Sequence, residues 1–293
     1  MSDLYQDDLA PEWFISAVNT PYQDKYLDVD GAKIHYQHWN NEGNKPGLMF
    51  VHGGGAHSHW WDFIAPSFLA DYDVVAIDIS GMGDSEHREI YSPTQFSREL
   101  MAVCDAAGFG NDKIIAAHSF GGLATLRTGL DCEGQVKGIV MIDSALFPPN
   151  FRANNDMKGS PFNEKRVYPD LASGLQRFKL VPPQPCENDY ILRYIARHSI
   201  GEVDGGWSWK FDMQFLQKTE MDTMTEDLPE LKTKTTVMYG QKSMLFMPAL
   251  VEFMKTQYPS HVPFVEIPDA AHHVFLDQPL GFIKQFKEII QQY

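Results

Sequence analysis

Short apolar runs recur along the chain: GLMFVHG, DVVAIDIS, DKIIAAHS, VKGIVMID and TKTTVMYG. Each is rich in β-branched or small residues and ends in polar or glycine positions, and most of the intervals carry the apolar spacing of helices. Runs apolar on both faces that alternate with helices predict a parallel sheet covered on both sides. Ahead of them stand two alternating runs, KYLDV and AKIHYQHW, joined through Asp30 and Gly31. That dipeptide supplies the positive φ of a tight turn and predicts an antiparallel hairpin at the sheet edge. A last run, VPFVEIPD, precedes the amphipathic segment LGFIKQFKEIIQQY, and the residues before Lys25 read as an irregular leader.

The alternation breaks once. From Leu146 to Met221 no βα unit is evident, and the stretch far exceeds an ordinary connection of about 2–6 residues. It predicts a mainly helical insertion (146–221) on a sheet domain made of 1–145 and 222–293. Ligands of open α/β sheets bind beyond the carboxyl ends of the strands, so an insertion leaving that edge would form a lid over the site. The length of 293 residues fits one large domain with such an insert.

Charge narrows the partners. With 24 basic and 39 acidic groups the formal charge is −15, which repels phosphate backbones and anionic lipid and disfavours nucleic-acid and membrane partners. Cys104, Cys132 and Cys186 are too few and too scattered for a disulfide framework or zinc ribbon and read as reduced thiols. The acidic N-terminal stretch lacks the basic start and apolar run of a signal peptide, and no run of about 18 apolar residues follows. The expectation is a cytoplasmic monomer or homodimer acting on a small molecule.

The chemistry centres on Ala117, His118, Ser119, Phe120 and Gly121, a small-x-Ser-x-Gly pattern where a predicted strand meets a predicted helix. A serine on so sharp a turn needs small neighbours two residues away on either side. The turn exposes the Ser119 hydroxyl and sets the Phe120 N–H at a helix N-terminus, where it can donate to an oxyanion. The plainer reading is a chance pentapeptide, but the context opposes it. His52, Gly53, Gly54 and Gly55 follow another strand, and glycine backbone there can approach a ligand closely. Gly54 becomes the second oxyanion donor, with Gly55 beside it; otherwise these glycines only make a turn. His52 reads as structural, bonded to loop backbone.

A serine nucleophile needs a base. His272, in PDAAHHVFLDQP before the last helix, can reach the carboxyl edge of the sheet, whereas the adjacent His273 would point elsewhere. Asp277 and Pro279 read as the cap and first turn of that helix. His57 and His59, or the 272–273 pair, lack partners at metal-ligand spacing, and no strand is followed by a dinucleotide fingerprint, so neither metal nor cofactor is expected.

With VHGGG, DISGMGDS, AHSFGG and DAAHHVFLDQP in this order, the chain from about Tyr26 to Tyr293 resembles the α/β-hydrolase fold superfamily. The resemblance implies a mostly parallel eight-stranded sheet with a mainly helical cap and an order of nucleophile, acid, histidine. It maps the oxyanion donor after the histidine-glycine pair onto Gly54, and gives Gly81–Ser85 a structural loop role. The chain departs from the family where the acid usually stands: the segment after TKTTVMYG reads Gln241, Lys242, Ser243, and Glu252 would lie well inside the next helix. Some relatives carry the acid at the end of the preceding strand, where this chain has Asp143. Asp143 could orient His272, or only cap the entrance to the insertion; Ser243 could instead orient the histidine without a charge.

The insertion resembles a bacterial esterase-like subgroup of these hydrolases. Trp207, Trp209 and Phe211 at alternate positions present one aromatic face, for a substrate pocket or for anchoring the lid, and Trp60 should border the acyl pocket. Arg193 and Arg197 either meet a substrate carboxylate or pair with acids such as Glu202 and Asp204. The expected activity is serine hydrolysis of small to medium, uncharged or weakly anionic esters through an acyl-enzyme, with His272 protonation shaping the acid limb of kcat/KM. Rival readings are carbon-carbon bond hydrolysis or cofactor-free perhydrolase chemistry on the same triad, and a non-catalytic ligand receptor with this fold.

Overall fold

The computed structural model describes residues 4–39, 45–148, 166–220 and 224–293. Asp30 and Gly31 take φ of 49° and 77°, closing the antiparallel hairpin of β1 (Gln23–Val29) and β2 (Ala32–Trp39) as a primed turn does. The apolar runs become β3 (Gly47–Val51), β4 (Asp73–Ile77), β5 (Ile114–His118) and β6 (Gly138–Ile142). Then follow β7 (Ile200–Val203), β8 (Gly206–Trp209), β9 (Lys234–Gly240) and β10 (Phe264–Ile267). Eight strands form one sheet in the order β1-β2-β4-β3-β5-β6-β9-β10, parallel from β4 onward, and β7 pairs with β8 separately. No described helix is long and apolar enough to cross a membrane.

Every residue of β3 to β6 is buried, and the period of two divides them between two cores. Met49, Val51, Val75, Ile77, Ile115 and Ala117 face one. Helices α2 (Pro93–Ala106), α3 (Gly121–Asp131) and α7 (Pro248–Gln257) close that side through residues such as Leu100, Ala124 and Met254. Leu48, Phe50, Val74, Ala76, Ile114 and Ala116 face the other, covered by α9 (Pro279–Ile290) through Phe282 and Phe286. The Phe50 ring lies 4.7 Å from Trp61 and 5.7 Å from Phe286, so truncating any of the three would open a large cavity costing about 3–5 kcal/mol.

The leader is more ordered than its sequence pattern predicts. Residues Glu12–Val18 form α1, and the fully buried Phe14 packs on Phe63, Tyr190 and Tyr194. One apolar contact per turn anchors so short a helix because its partners belong to another part of the fold, a fact invisible in a local window.

Between β6 and β9 lie α4 (Leu171–Leu175), α5 (Asp189–His198), the β7–β8 hairpin and α6 (Phe215–Lys218); residues 149–165 and 221 of the predicted insertion, and 222–223 of the predicted core, fall outside the described residues. The hairpin is an addition to the helical expectation. The alternation of Trp207, Trp209 and Phe211 is the period of a strand; Gly205, with φ of 85°, lies in its turn, and Gly206, with φ of 147°, opens β8 opposite Val203. Arg193 pairs with Asp7 of the leader at 2.8 Å rather than with Glu202 or Asp204.

Candidate active site

The chain turns sharply after β5. Ser119 has φ of 51°, strained for a residue with a side chain, and its N–H donates to the Ile142 carbonyl at 2.9 Å. Phe120 then opens α3. The glycines after it are required by close approach: a Cβ on Gly121 would lie 2.3 Å from the His52 carbonyl oxygen, and one on Gly122 would lie 1.7 Å from Ser144 Oγ. Ser144 Oγ donates to the Ser119 carbonyl at 2.6 Å and ties the elbow to the end of β6.

The glycine loop after β3 packs on this elbow. A Cβ on Gly53 would meet Ser119 Cβ at 3.2 Å, and one on Gly54 would meet Phe120 Cβ at 3.4 Å, so the Gly54 and Phe120 backbones stand side by side. Gly55 has φ of 70°. His52 is held as a structural side chain: its Nδ1 donates to the Gly53 carbonyl at 2.7 Å, and its Nε2 accepts from Ile79 N–H at 3.2 Å. Burial holds this imidazole below its ordinary value.

Asp143 follows β6 with φ of 46° and is fully buried. Its Oδ1 accepts from Gly240 N–H at 2.8 Å, while Oδ2 accepts from Ser243 Oγ at 2.7 Å and from His272 Nδ1 at 2.6 Å. A buried carboxylate is tolerated where each oxygen is satisfied, and here Ser243 serves the carboxylate rather than the histidine. The strand order makes this meeting possible, because β6 and β9 are neighbours and the loop after β10 folds back over their ends. Gly240 lets that loop in: a Cβ there would lie 2.2 Å from the Ala271 carbonyl oxygen.

Two residues that the sequence pattern did not single out as partners fix the histidine loop. His118 Nε2 donates to the His272 carbonyl at 3.0 Å, and burial, then the nearby His272, hold the His118 imidazole well below its ordinary value and hence neutral. Asp277 is not the cap of α9, whose N-cap is Gln278. It ends the short helix α8 (Val274–Asp277) and accepts from Ala271 N–H at 2.7 Å and from Gln184 Nε2 at 3.0 Å. His273 turns away from Asp143, its backbone N–H and Nδ1 lying 2.9 and 2.8 Å from Gln184 Oε1.

The sequence pattern of the alpha/beta hydrolase family matches residues 48–285. The chain belongs to this family. An esterase of Mycobacterium tuberculosis is 27% identical over 192 residues, covering 63% of this chain and 62% of that protein. The pimeloyl-[acyl-carrier protein] methyl ester esterase of Aeromonas hydrophila is 23% identical over 257 residues, 86% of this chain and 96% of that protein. The crystal structure of the mycobacterial esterase superposes with a TM-score of 0.71 at 21% identity, covering 92% of each chain. The protein is thus a hydrolase with esterase-type relatives.

In this hydrolase Ser119 and His272 line one cavity of about 310 Å³. Gly54, Gly55, Trp60, Trp209 and Phe211 also line it. Trp207 does not: its backbone pairs with Tyr168, N–H to carbonyl at 2.8 and 2.7 Å, and its place in the expected pocket is withdrawn. Neither Arg193 nor Arg197 reaches the lining, which instead includes Arg166, Arg177 and Lys179. Nothing in the local sequence marks these three.

The paired histidines also find partners. His57 Nε2 lies 2.8 Å from Ser199 Oγ and His59 Nδ1 lies 2.7 Å from Asp62 Oδ2. Elsewhere, His35, Asp78 and Asp84 bring ligand-type atoms within 4.8 Å of one another. These atoms already serve the fold: His35 Nδ1 sits 2.7 Å from Asp78 Oδ2, Asp78 also accepts from Asp84 N–H at 2.9 Å, and Asp84 pairs with Lys210.

Proposed function

We propose that this hydrolase cleaves carboxylic esters of small to medium size through a serine-bound acyl intermediate. The single observation that carries the reading is the 2.6 Å contact between Asp143 Oδ2 and His272 Nδ1, beside a cavity that both His272 and the elbow serine line. With Nδ1–H committed to Asp143, the His272 Nε2 is the free base. It takes the proton of Ser119 Oγ as the oxygen attacks the ester carbonyl. The Gly54 and Phe120 N–H groups receive the oxyanion, where fixed donors cost no reorganisation. His272 then gives the proton to the departing alcohol. A water attacks the acyl-enzyme with His272 again as base, releasing the acid and restoring Ser119.

Residues 146–221 act in this reading as the cap that selects the substrate, over a core of 1–145 and 222–293. The cavity volume lies at the small end of the roughly 300–1,000 Å³ of ligand pockets, which favours short acyl chains. The test is labelling by a fluorophosphonate. Wild type should react and Ser119→Ala should not; a wild type that stays unlabelled would point to a ligand receptor instead. p-Nitrophenyl esters of rising chain length then measure the pocket.

A further inference from the structure

The charge around the catalytic cavity is opposite to that of the chain. The protein carries 39 acidic against 24 basic groups, yet the described lining of the cavity contains Arg166, Arg177 and Lys179 and no aspartate or glutamate. Several other described cations are neutralised: Arg88 by Glu99, Arg98 by Asp30, Arg193 by Asp7 and Lys218 by Asp212. No such ion pair joins Arg166, Arg177 or Lys179 to an acid among the described residues, although all three are exposed to solvent.

The backbone that carries them is anchored. Ser208 Oγ of β8 donates to the Arg166 carbonyl at 3.0 Å, and Tyr168 pairs with Trp207 of the same strand. A Cβ on Gly206 would lie 2.1 Å from the Tyr168 carbonyl oxygen, so this glycine lets the two segments close. Arg177 and Lys179 follow α4 and flank the half-buried Phe178, whose ring lies 6.1 Å from Trp209. The cations therefore sit beside an aromatic wall of Trp209 and Phe178 that shares the cavity with Ser119.

We propose that Arg177 and Lys179, with Arg166, form an anion subsite for the non-reacting end of the substrate. The substrate is then an ester with a carboxylate or phosphate at that end, separated from the scissile carbonyl by an apolar stretch that lies on the aromatic wall. An arginine fork suits either group. A local cationic site is also what a chain of such negative charge needs in order to concentrate an anionic substrate at its cavity. This rests on the ester-cleaving reading of Ser119 and replaces the expectation of uncharged or weakly anionic esters.

The test uses the full chain and matched p-nitrophenyl esters of equal length whose far end is a methyl group, a carboxylate or a phosphate. Wild type should favour an anionic ester over the methyl-ended one by about tenfold or more in kcat/KM, the scale of one charge-assisted contact. In the double variant Arg177→Gln/Lys179→Gln that preference should fall about tenfold, and in wild type it should shrink as salt rises. The carboxylate and phosphate arms tell which group the site takes. A wild-type preference at or below unity, or one that survives in the double variant, overturns the proposal. Binding of the same esters to Ser119→Ala, with and without the two cation substitutions, reads the subsite without turnover. Selective anion binding there, in a protein that no fluorophosphonate labels, would sink the esterase reading and leave the subsite standing.

Discussion

Asp143 and His272 stand 129 residues apart in the chain and 2.6 Å apart in space, carboxylate oxygen Oδ2 to imidazole Nδ1. Both side chains are almost wholly buried, at 0% and 3% exposure, so water does not compete for the contact. Gly240 N–H and Ser243 Oγ hold the carboxylate from its other sides.

Asp143→Asn should therefore lower kcat by about 10³–10⁴-fold, the scale known for loss of a triad carboxylate. Asparagine keeps the size but can present an N–H where His272 needs an acceptor, which favours the wrong tautomer. Steady-state rates on a p-nitrophenyl ester decide it. Activity within about tenfold of wild type would remove Asp143 from this role.

Gly122→Ala sets two effects against each other. Alanine is the better helix former by about 1 kcal/mol, but its Cβ would lie 1.7 Å from Ser144 Oγ, the group that bonds the Ser119 carbonyl. Overpacking of this kind costs about 1–3 kcal/mol, so the clash should win. The variant should melt at a lower temperature and react more slowly with the fluorophosphonate, as a thermal melt and a labelling time course would show.

Trp209 and Trp207 provide a paired control on the same strand. Trp209 lines the cavity that holds Ser119 and its Nε1 donates to Tyr168 Oη at 3.3 Å, whereas Trp207 lies outside the lining. Trp209→Ala should change the chain-length preference of ester hydrolysis, while Trp207→Ala should alter thermal stability and leave that preference in place. Equal effects on the preference would contradict the placement of Trp209 in the cavity lining and of Trp207 outside it.

His35 gives stability a pH dependence. Burial pulls its imidazole down, but the hydrogen bonds it donates to Asp24 and Asp78, with the charges of these carboxylates, outweigh this and raise it to about 9. The folded chain thus keeps a proton that the unfolded chain, with an ordinary histidine at about 6.5, has released. Stability from this contact is full below about pH 6.5 and is lost as pH rises through about 9. Denaturant midpoints of wild type and His35→Gln should differ most at pH 6 and converge above pH 9; a constant difference would refute the linkage.

Much of this molecule is written locally. The hairpin at Asp30 and Gly31, the all-apolar strands, the elbow at Ser119 and the structural His52 each follow from a few neighbouring residues, because turn sterics and the burial of both strand faces act over that range. The sequence also named His272 and Asp143, the latter only through a family resemblance, since no local pattern distinguishes that carboxylate from one that caps a loop. Tertiary structure alone decided the rest. Phe14 needed Tyr190 and Tyr194 to make the leader a helix, and only the packing of the hairpin against the core put Trp209 in the cavity lining and left Trp207, two residues along the same strand, outside it. Arg177 and Lys179 look like any surface cations in the sequence. Their meaning depends on which segments the fold lays around Ser119, and that is set by packing between distant parts of the chain.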